Sequence, residues 1–140
     1  MTKVRNNIDQ IVRLCKDHNI NVAGVIKGFN ALEPIVDEYE KSECMQIASS
    51  RIQQLQQCKE RGITKPLMLI RIPMLSEIEE VVKYADISLN SEKVVLDAIN
   101  EESKKQNKIH QVVLMADLGD LREGYFNEEE LIHTAIYVEE

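Results

Sequence analysis

Five short apolar runs, each followed by a helix-like pattern and recurring roughly twenty residues apart, constrain this chain more than any other feature. The runs cover residues 22–26, 45–48, 66–72, 86–89 and 112–116. An amphipathic helix precedes them, with Val4, Ile8, Ile11, Val12 and Cys15 on one face. Pro34 suits the first turn of the next helix, and Gly62 closes the Gln-rich helix that begins near Ile52. Ser76 with Glu79 reads as a capping box, Asn90 or Ser91 as the cap of the following helix, and Asn127 with Glu130 as a third cap. The runs are apolar at consecutive positions, as in strands covered on both faces. The expected fold class is therefore α/β: a partial (β/α) TIM-type barrel of about five parallel strands alternating with helices, joined by right-handed crossovers.

Composition narrows the partners. The 140 residues are 44% hydrophobic and 29% charged, which suits a single folded domain over residues 1–140. The net charge of −7, with few aromatics and none interleaved with basic residues, argues against nucleic acid. No apolar stretch approaches the ~20 residues of a membrane span, and the N-terminus has no signal-peptide core. Cys15, Cys44 and Cys58 lack CxxC spacing, which points to reduced thiols and a cytoplasmic location. His18, His110 and His133 lack metal-ligand spacing, so no metal site is expected.

Each run ends at its C-terminal side in a polar or charged residue: Lys27, Ser49 with Ser50, Arg71, Asn90 and Asp117. Ligands of parallel sheets and barrels bind at that edge. Lys27 is a candidate reactive amine, beside Gly28 where backbone can approach a planar group closely. The plain alternative is a lysine whose stem lies on the apolar run and whose ammonium reaches water. Arg71 sits within LIRIP and suits either an anion or a phenolate, or a buried ion pair. Arg122 lies in a loop between Gly119 and Gly124, where a binding role and a solvated arginine stay equally open. There is no dinucleotide fingerprint, P-loop, serine elbow or Cys–His nucleophile pair.

Three segments carry a family resemblance. VAGVIKGFNA, LMLIRIPMLSEIEEVVKYADISLNSE and MADLGDLREGYF together resemble the N-terminal part of the alanine racemase family, the fold-type III enzymes dependent on pyridoxal 5'-phosphate. The nearest branch is that of ornithine and alanine/ornithine racemases. The resemblance implies that Lys27 forms the internal aldimine with pyridoxal phosphate and acts as one of two Cα-proton bases. It places Arg122 on the arginine that meets the cofactor's phenolic oxygen, with Asp117, Gly119 and Gly124 shaping its loop. With Arg71 and Asn90 from the strand ends, the candidate cofactor-binding set is Lys27, Arg71, Asn90, Asp117 and Arg122. The implied reaction inverts an amino acid by removing the Cα proton and returning one to the opposite face.

The chain departs from the family in specific ways. Ala31 stands where alanine racemases carry a tyrosine, and Met115 where some carry a carbamylated lysine. Both weaken an alanine assignment. The barrel architecture has eight strands and about 250 residues, so the expectation here is an incomplete barrel. The phosphate-binding elements and the second-base tyrosine of the family fall beyond it, and the isolated chain is expected to be inactive. A non-catalytic pyridoxal-phosphate carrier and a structural remnant of the barrel are the alternatives. The remnant would pair through open sheet edges as a homodimer.

Overall fold

The structure is a computed structural model and describes residues 2–139. The order is α1 (Thr2–Lys16), β1 (Ala23–Val25), α2 (Glu33–Lys41), β2 (Gln46–Ser49), α3 (Ile52–Glu60), β3 (Leu67–Leu69), α4 (Ile78–Tyr84), β4 (Ile87–Asn90), α5 (Lys93–Gln106), β5 (Gln111–Leu114) and α6 (Glu128–Glu139). The strands form one open sheet in the order β1-β2-β3-β4-β5. Successive strands are therefore neighbours, as crossover helices between parallel strands require. The expected five-strand α/β architecture is thus what forms. By compactness the chain divides into residues 1–68 and 69–140.

In the first unit, β1 and β2 run parallel, with Ala23, Gly24 and Val25 opposite Gln46, Ile47 and Ala48. The N-terminal helix buries Ile8 and Val12 against Cys44, with Val4, Val22 and Tyr39 packed around them. Ile11, expected on the same face, is exposed. Ile26, Val36, Ile47, Ile52, Leu55 and Leu67 are almost fully enclosed. Each such side chain contributes about 1.5–3 kcal/mol by leaving water. Pro34 lies in the first turn of α2 as expected, where its missing N–H costs nothing. Gly62 follows α3 with φ +82°, the left-handed closure anticipated for it.

In the second unit, β4 and β5 run parallel from Ile87 opposite Gln111 to Asn90 opposite Leu114. Ile78 and Val82 of α4 pack with Val95 and Ile99 of α5, with Ile72 and Ala98 alongside. The last helix is tied to α5 through Tyr137. Its hydroxyl donates to Asp97 at 2.6 Å, and Lys93 Nζ lies 3.3 Å from the ring centroid. Asn127 caps α6 as expected, its Oδ1 accepting from the N–H groups of Glu129 (2.8 Å) and Glu130 (3.2 Å).

Four expectations need correction. The strand expected over 66–72 is confined to Leu67–Leu69, so Arg71 lies beyond it rather than inside it. Pro66 has no N–H to give, and the chain bends toward Pro73 and α4. The turn into α4 is capped by Glu77, whose carboxylate accepts from the Met74 N–H at 3.0 Å, and not by Ser76 with Glu79. Asn90 is the last residue of β4 and does not cap α5, whose N-cap position is Glu92. Finally, β5 is not apolar-covered on both faces: Gln111 and Val113 are exposed.

Candidate functional site

Lys27 lies two residues past the end of β1, after Ile26, and opens a single 3-10 turn, Lys27–Phe29. Its predecessor Ile26 is fully buried, whereas Lys27 and Gly28 are exposed. A β-carbon built on Gly28 would meet no atom within 4 Å, so open space lies beside the lysine. Among the described residues, no hydrogen bond or ion pair restrains its ammonium. Asn30 and Ala31 both take left-handed φ, 52° and 53°, and redirect the chain into α2. Nearby, Gln54 joins the strand end to this turn: it accepts from Ser49 Oγ at 2.6 Å and donates to Asn30 Oδ1 at 2.9 Å. Ser49 is thus a structural brace, its Oγ also accepting the Arg51 N–H.

Beyond β3, Arg71 forms a bidentate ion pair with the buried Glu77: Nη2 lies 2.8 Å from Oε2, and Nη1 donates to Oε1. It also donates to the Ile72 carbonyl. Burial alone would raise the Glu77 carboxyl, but the bonds from Arg71 and the Met74 N–H outweigh it and hold the group below its ordinary value. This is the ion-pair reading of Arg71 weighed from sequence. Its guanidinium secures the entry to α4.

Asn90 is fully buried. Its Nδ2 donates to both the Ser88 carbonyl and Ser88 Oγ, each at 3.0 Å. Ser88 Oγ in turn lies 2.8 Å from His110 Nε2. Burial lowers the His110 pKa despite the Ala85 carbonyl and Asp86, with Lys108 adding to the lowering. Ser88 Oγ and His110 Nε2 thus share one hydrogen, with the donor set by the tautomer of the ring. Asn90 Oδ1 has no partner, and neither does the buried hydroxyl of Tyr125.

Asp117 and Arg122 belong to the loop after β5. Its base is closed by an isolated bridge between Ala116 and Tyr125, with Tyr125 N–H donating to the Met115 carbonyl and Asp117 N–H to the Tyr125 carbonyl. Asp117 Oδ1 accepts from the N–H groups of Gly119 (2.8 Å) and Leu121 (3.2 Å). The bond from Gly119 heads the causes that lower its pKa. Gly119 and Gly124 have φ of +111° and +118°. A β-carbon on Gly124 would lie 2.7 Å from Asp117 N, so this closure admits only glycine. Arg122 meets Glu123 at 2.9 Å while 76% of its side chain is exposed.

Sequence reasoning missed Glu77, Ser88, His110 and Tyr125. Ser88 carried a usable signal, since residues two apart on a strand share a face and Asn90 was already singled out. A cavity of about 500 Å³ lies between α5, β5 and α6, lined in part by Ser103, His110, Val112 and Tyr137. None of the five candidate residues lines it.

The sequence profile of the family "Alanine racemase, N-terminal domain" matches residues 1–139. The chain belongs to this family. Within it, the chain is 48% identical over 131 residues to the ornithine racemase of Acetoanaerobium sticklandii, covering 94% of this chain and 36% of that protein. It is 30% identical over 129 residues to the lysine racemase of Thermotoga maritima, covering 92% of this chain and again 36% of the other. Among solved structures, alanine racemase of Clostridium difficile 630 superposes with a TM-score of 0.82 at 22% identity, over 98% of this chain and 36% of that one. That likeness supports the fold. The chain thus spans little more than a third of the relatives it matches.

Proposed function

We propose that this alanine racemase N-terminal domain carries the cofactor lysine of a pyridoxal-phosphate-dependent amino-acid racemase of the ornithine/alanine type. The observation that carries the reading is the setting of Lys27. A primary amine follows the fully buried Ile26, exposed, unrestrained among the described residues, with open space at Gly28. An aldehyde cofactor needs such an amine. The motif around Arg122 and the names of the two relatives, ornithine racemase and lysine racemase, support the same reading.

Taken one by one, Lys27 and Arg122 have the chemistry that the aldehyde and phenolate ends of the cofactor need. Lys27 is the amine that would hold the aldehyde. Arg122, whose exposed guanidinium meets Glu123 among the described residues, would donate to the phenolic oxygen. When bound, pyridoxal phosphate spreads the negative charge of the deprotonated Cα over its ring. Once displaced from the aldehyde by the substrate's own amine, Lys27 Nζ would exchange a proton with Cα on one face. Asp117 and Gly124 keep the Arg122 loop in one shape. Inversion also needs a proton donor on the opposite face, and no residue of this chain is proposed for it. The chain by itself is therefore expected to racemise ornithine and alanine negligibly.

Borohydride trapping with pyridoxal phosphate, followed by peptide mass spectrometry, tests the reading. The reduced label is expected predominantly on Lys27 and is expected to vanish in Lys27→Arg. A label spread evenly over the other lysines overturns it.

A further inference from the structure

Among the described residues nothing bonds the Lys27 ammonium, so the turn around it is what aims the amine. On its near side the turn is tied to β2 and to itself. Ile26 N–H donates to the Ala48 carbonyl at 2.9 Å, and the Ile26 carbonyl accepts from Ala31 N–H at 3.1 Å. On its far side the turn rests on Asn30, whose N–H reaches the Lys27 carbonyl at 3.3 Å. Asn30 and Ala31 both hold left-handed φ, 52° and 53°. Asparagine tolerates that region, whereas alanine keeps it only under restraint from its surroundings.

The restraint comes from Gln54 in α3. Its amide lies between Ser49 Oγ at 2.6 Å and Asn30 Oδ1 at 2.9 Å. Turning over the amides of both Gln54 and Asn30 would exchange donors for acceptors and keep both bonds, so the link holds in either sense. Ser49 and Gln54 are both buried. Ser49 Oγ also accepts the Arg51 N–H, which serves the entry to α3. That local duty accounts for Ser49 and its bond to Gln54. It does not account for the bond to Asn30, 24 residues earlier in the chain. A leucine at position 54 would suit a helix face that already buries Ile52 and Leu55, without the cost of enclosing an amide. The amide instead ends on the turn that carries Lys27.

We propose that Gln54 is a positioning residue for Lys27: by holding Asn30 it fixes the turn that presents the amine to an aldehyde. The inference rests on the cofactor-lysine reading above and deepens it by naming what orients that lysine. Gln54 acts through Asn30 and supplies no chemistry of its own. With the turn fixed, only the side-chain torsions of Lys27 need ordering when the neutral Nζ adds to the aldehyde carbon and water leaves. A loose turn adds backbone freedom to that cost.

Two readouts on the 140-residue chain test this. The first needs no cofactor. Nitrogen-15 relaxation is expected to give the Gly28 amide an order parameter of about 0.85 in the parent chain, falling toward about 0.6 in Gln54→Leu, where the link is cut. The second is the share of borohydride-fixed pyridoxal phosphate on Lys27 relative to the other lysines, expected to fall about threefold or more in Gln54→Leu. Asn30→Asp keeps an acceptor for Gln54 and tolerates the left-handed backbone, so both readouts are expected to stay at parental values. A Gln54 that served packing alone would lower the melting temperature and leave both readouts unchanged well below it. Should Gln54→Leu not fold, Asn30→Gly removes the acceptor at an exposed position, admits the left-handed φ and is expected to lower the Lys27 share alike. An unchanged Gly28 order parameter in a folded Gln54→Leu overturns the inference. A Lys27 share that is high in the parent chain and stays high in the variant overturns it too. A parent label spread evenly over the lysines, with the order parameter still falling in Gln54→Leu, refutes the cofactor reading alone.

Discussion

The ion pair of Arg71 with Glu77 shows how a single residue's meaning depends on its neighbours. In sequence, an arginine beside an apolar run reads as an anion receptor or as half of an ion pair. The carboxylate that decides between them sits six residues on, across a turn that periodicity does not describe. Replacing Glu77 by Gln removes the negative charge and sets an amide N–H₂ against Nη2 of the guanidinium, while Oε1 can still accept from the Met74 N–H. Urea unfolding is expected to register a loss of about 2 kcal/mol. The acid limb tests the same pair. The folded Glu77 pKa lies below its unfolded value, so its contribution is present above the ordinary carboxylate range and is lost as pH falls through the lower folded value. Glu77→Gln should therefore flatten stability against pH in that window, and an unchanged slope argues against the pair. His110 works in a higher window. Its folded pKa is depressed, so below about 6.5 the unfolded chain binds a proton that the folded chain resists. Stability is expected to be full above that pH and to decline below it. His110→Gln should remove this part of the decline in thermal melts at matched ionic strength.

At the level of elements, alternation made the helices and strands legible, while their joints were not. Pro34, Gly62 and Asn127 announced their turns because each acts through its own backbone or a neighbour's N–H. The entry to α4 was misread because its cap is supplied by a carboxylate that also serves Arg71. The loop after β5 was legible as a shaped segment from its two glycines, but the bridge between Ala116 and Tyr125 that closes it was not. That bridge explains why Gly124 matters. An alanine there would need a positive φ and would press on Asp117 N and the Ala116 carbonyl carbon. Gly124→Ala is expected to cost about 2 kcal/mol or more and to release the loop that carries Arg122. Limited proteolysis between residues 117 and 124 should quicken in the variant. An unchanged cleavage rate would show that the loop is held by something other than this closure. Gly24 makes a comparable demand inside β1, since a β-carbon would fall 2.4 Å from Tyr39 Cδ1, on a ring stacked 6.1 Å from Phe29.

For the molecule as a whole, strand–helix alternation was enough to foresee about five parallel strands alternating with helices, as in a partial barrel, because crossover connections order consecutive strands side by side. Which surfaces stay uncovered was harder to read. Apolar periodicity marks a face without saying what lies against it, so β5 read as a covered strand although Val113 is 42% exposed. The neighbouring surface is also apolar. Leu118, Leu121 and Phe126 in the loop are 97%, 76% and 73% exposed, and Ile132 and Ile136 on α6 are 50% and 54%. No described strand follows β5 in the order of the sheet, so its backbone offers unpaired groups beside these side chains. Such a patch favours burial against another surface, and a second copy of the chain is the partner always present in a purified sample. Sedimentation equilibrium is therefore expected to show a weight-average mass that rises with concentration. Val113→Lys should lower it by placing a charge at the strand edge, and Ile136→Glu should lower it through the apolar face of α6. A mass that stays at the monomer value across the series would mean that neither edge nor face drives association. A rise unaffected by both substitutions would move the contact elsewhere.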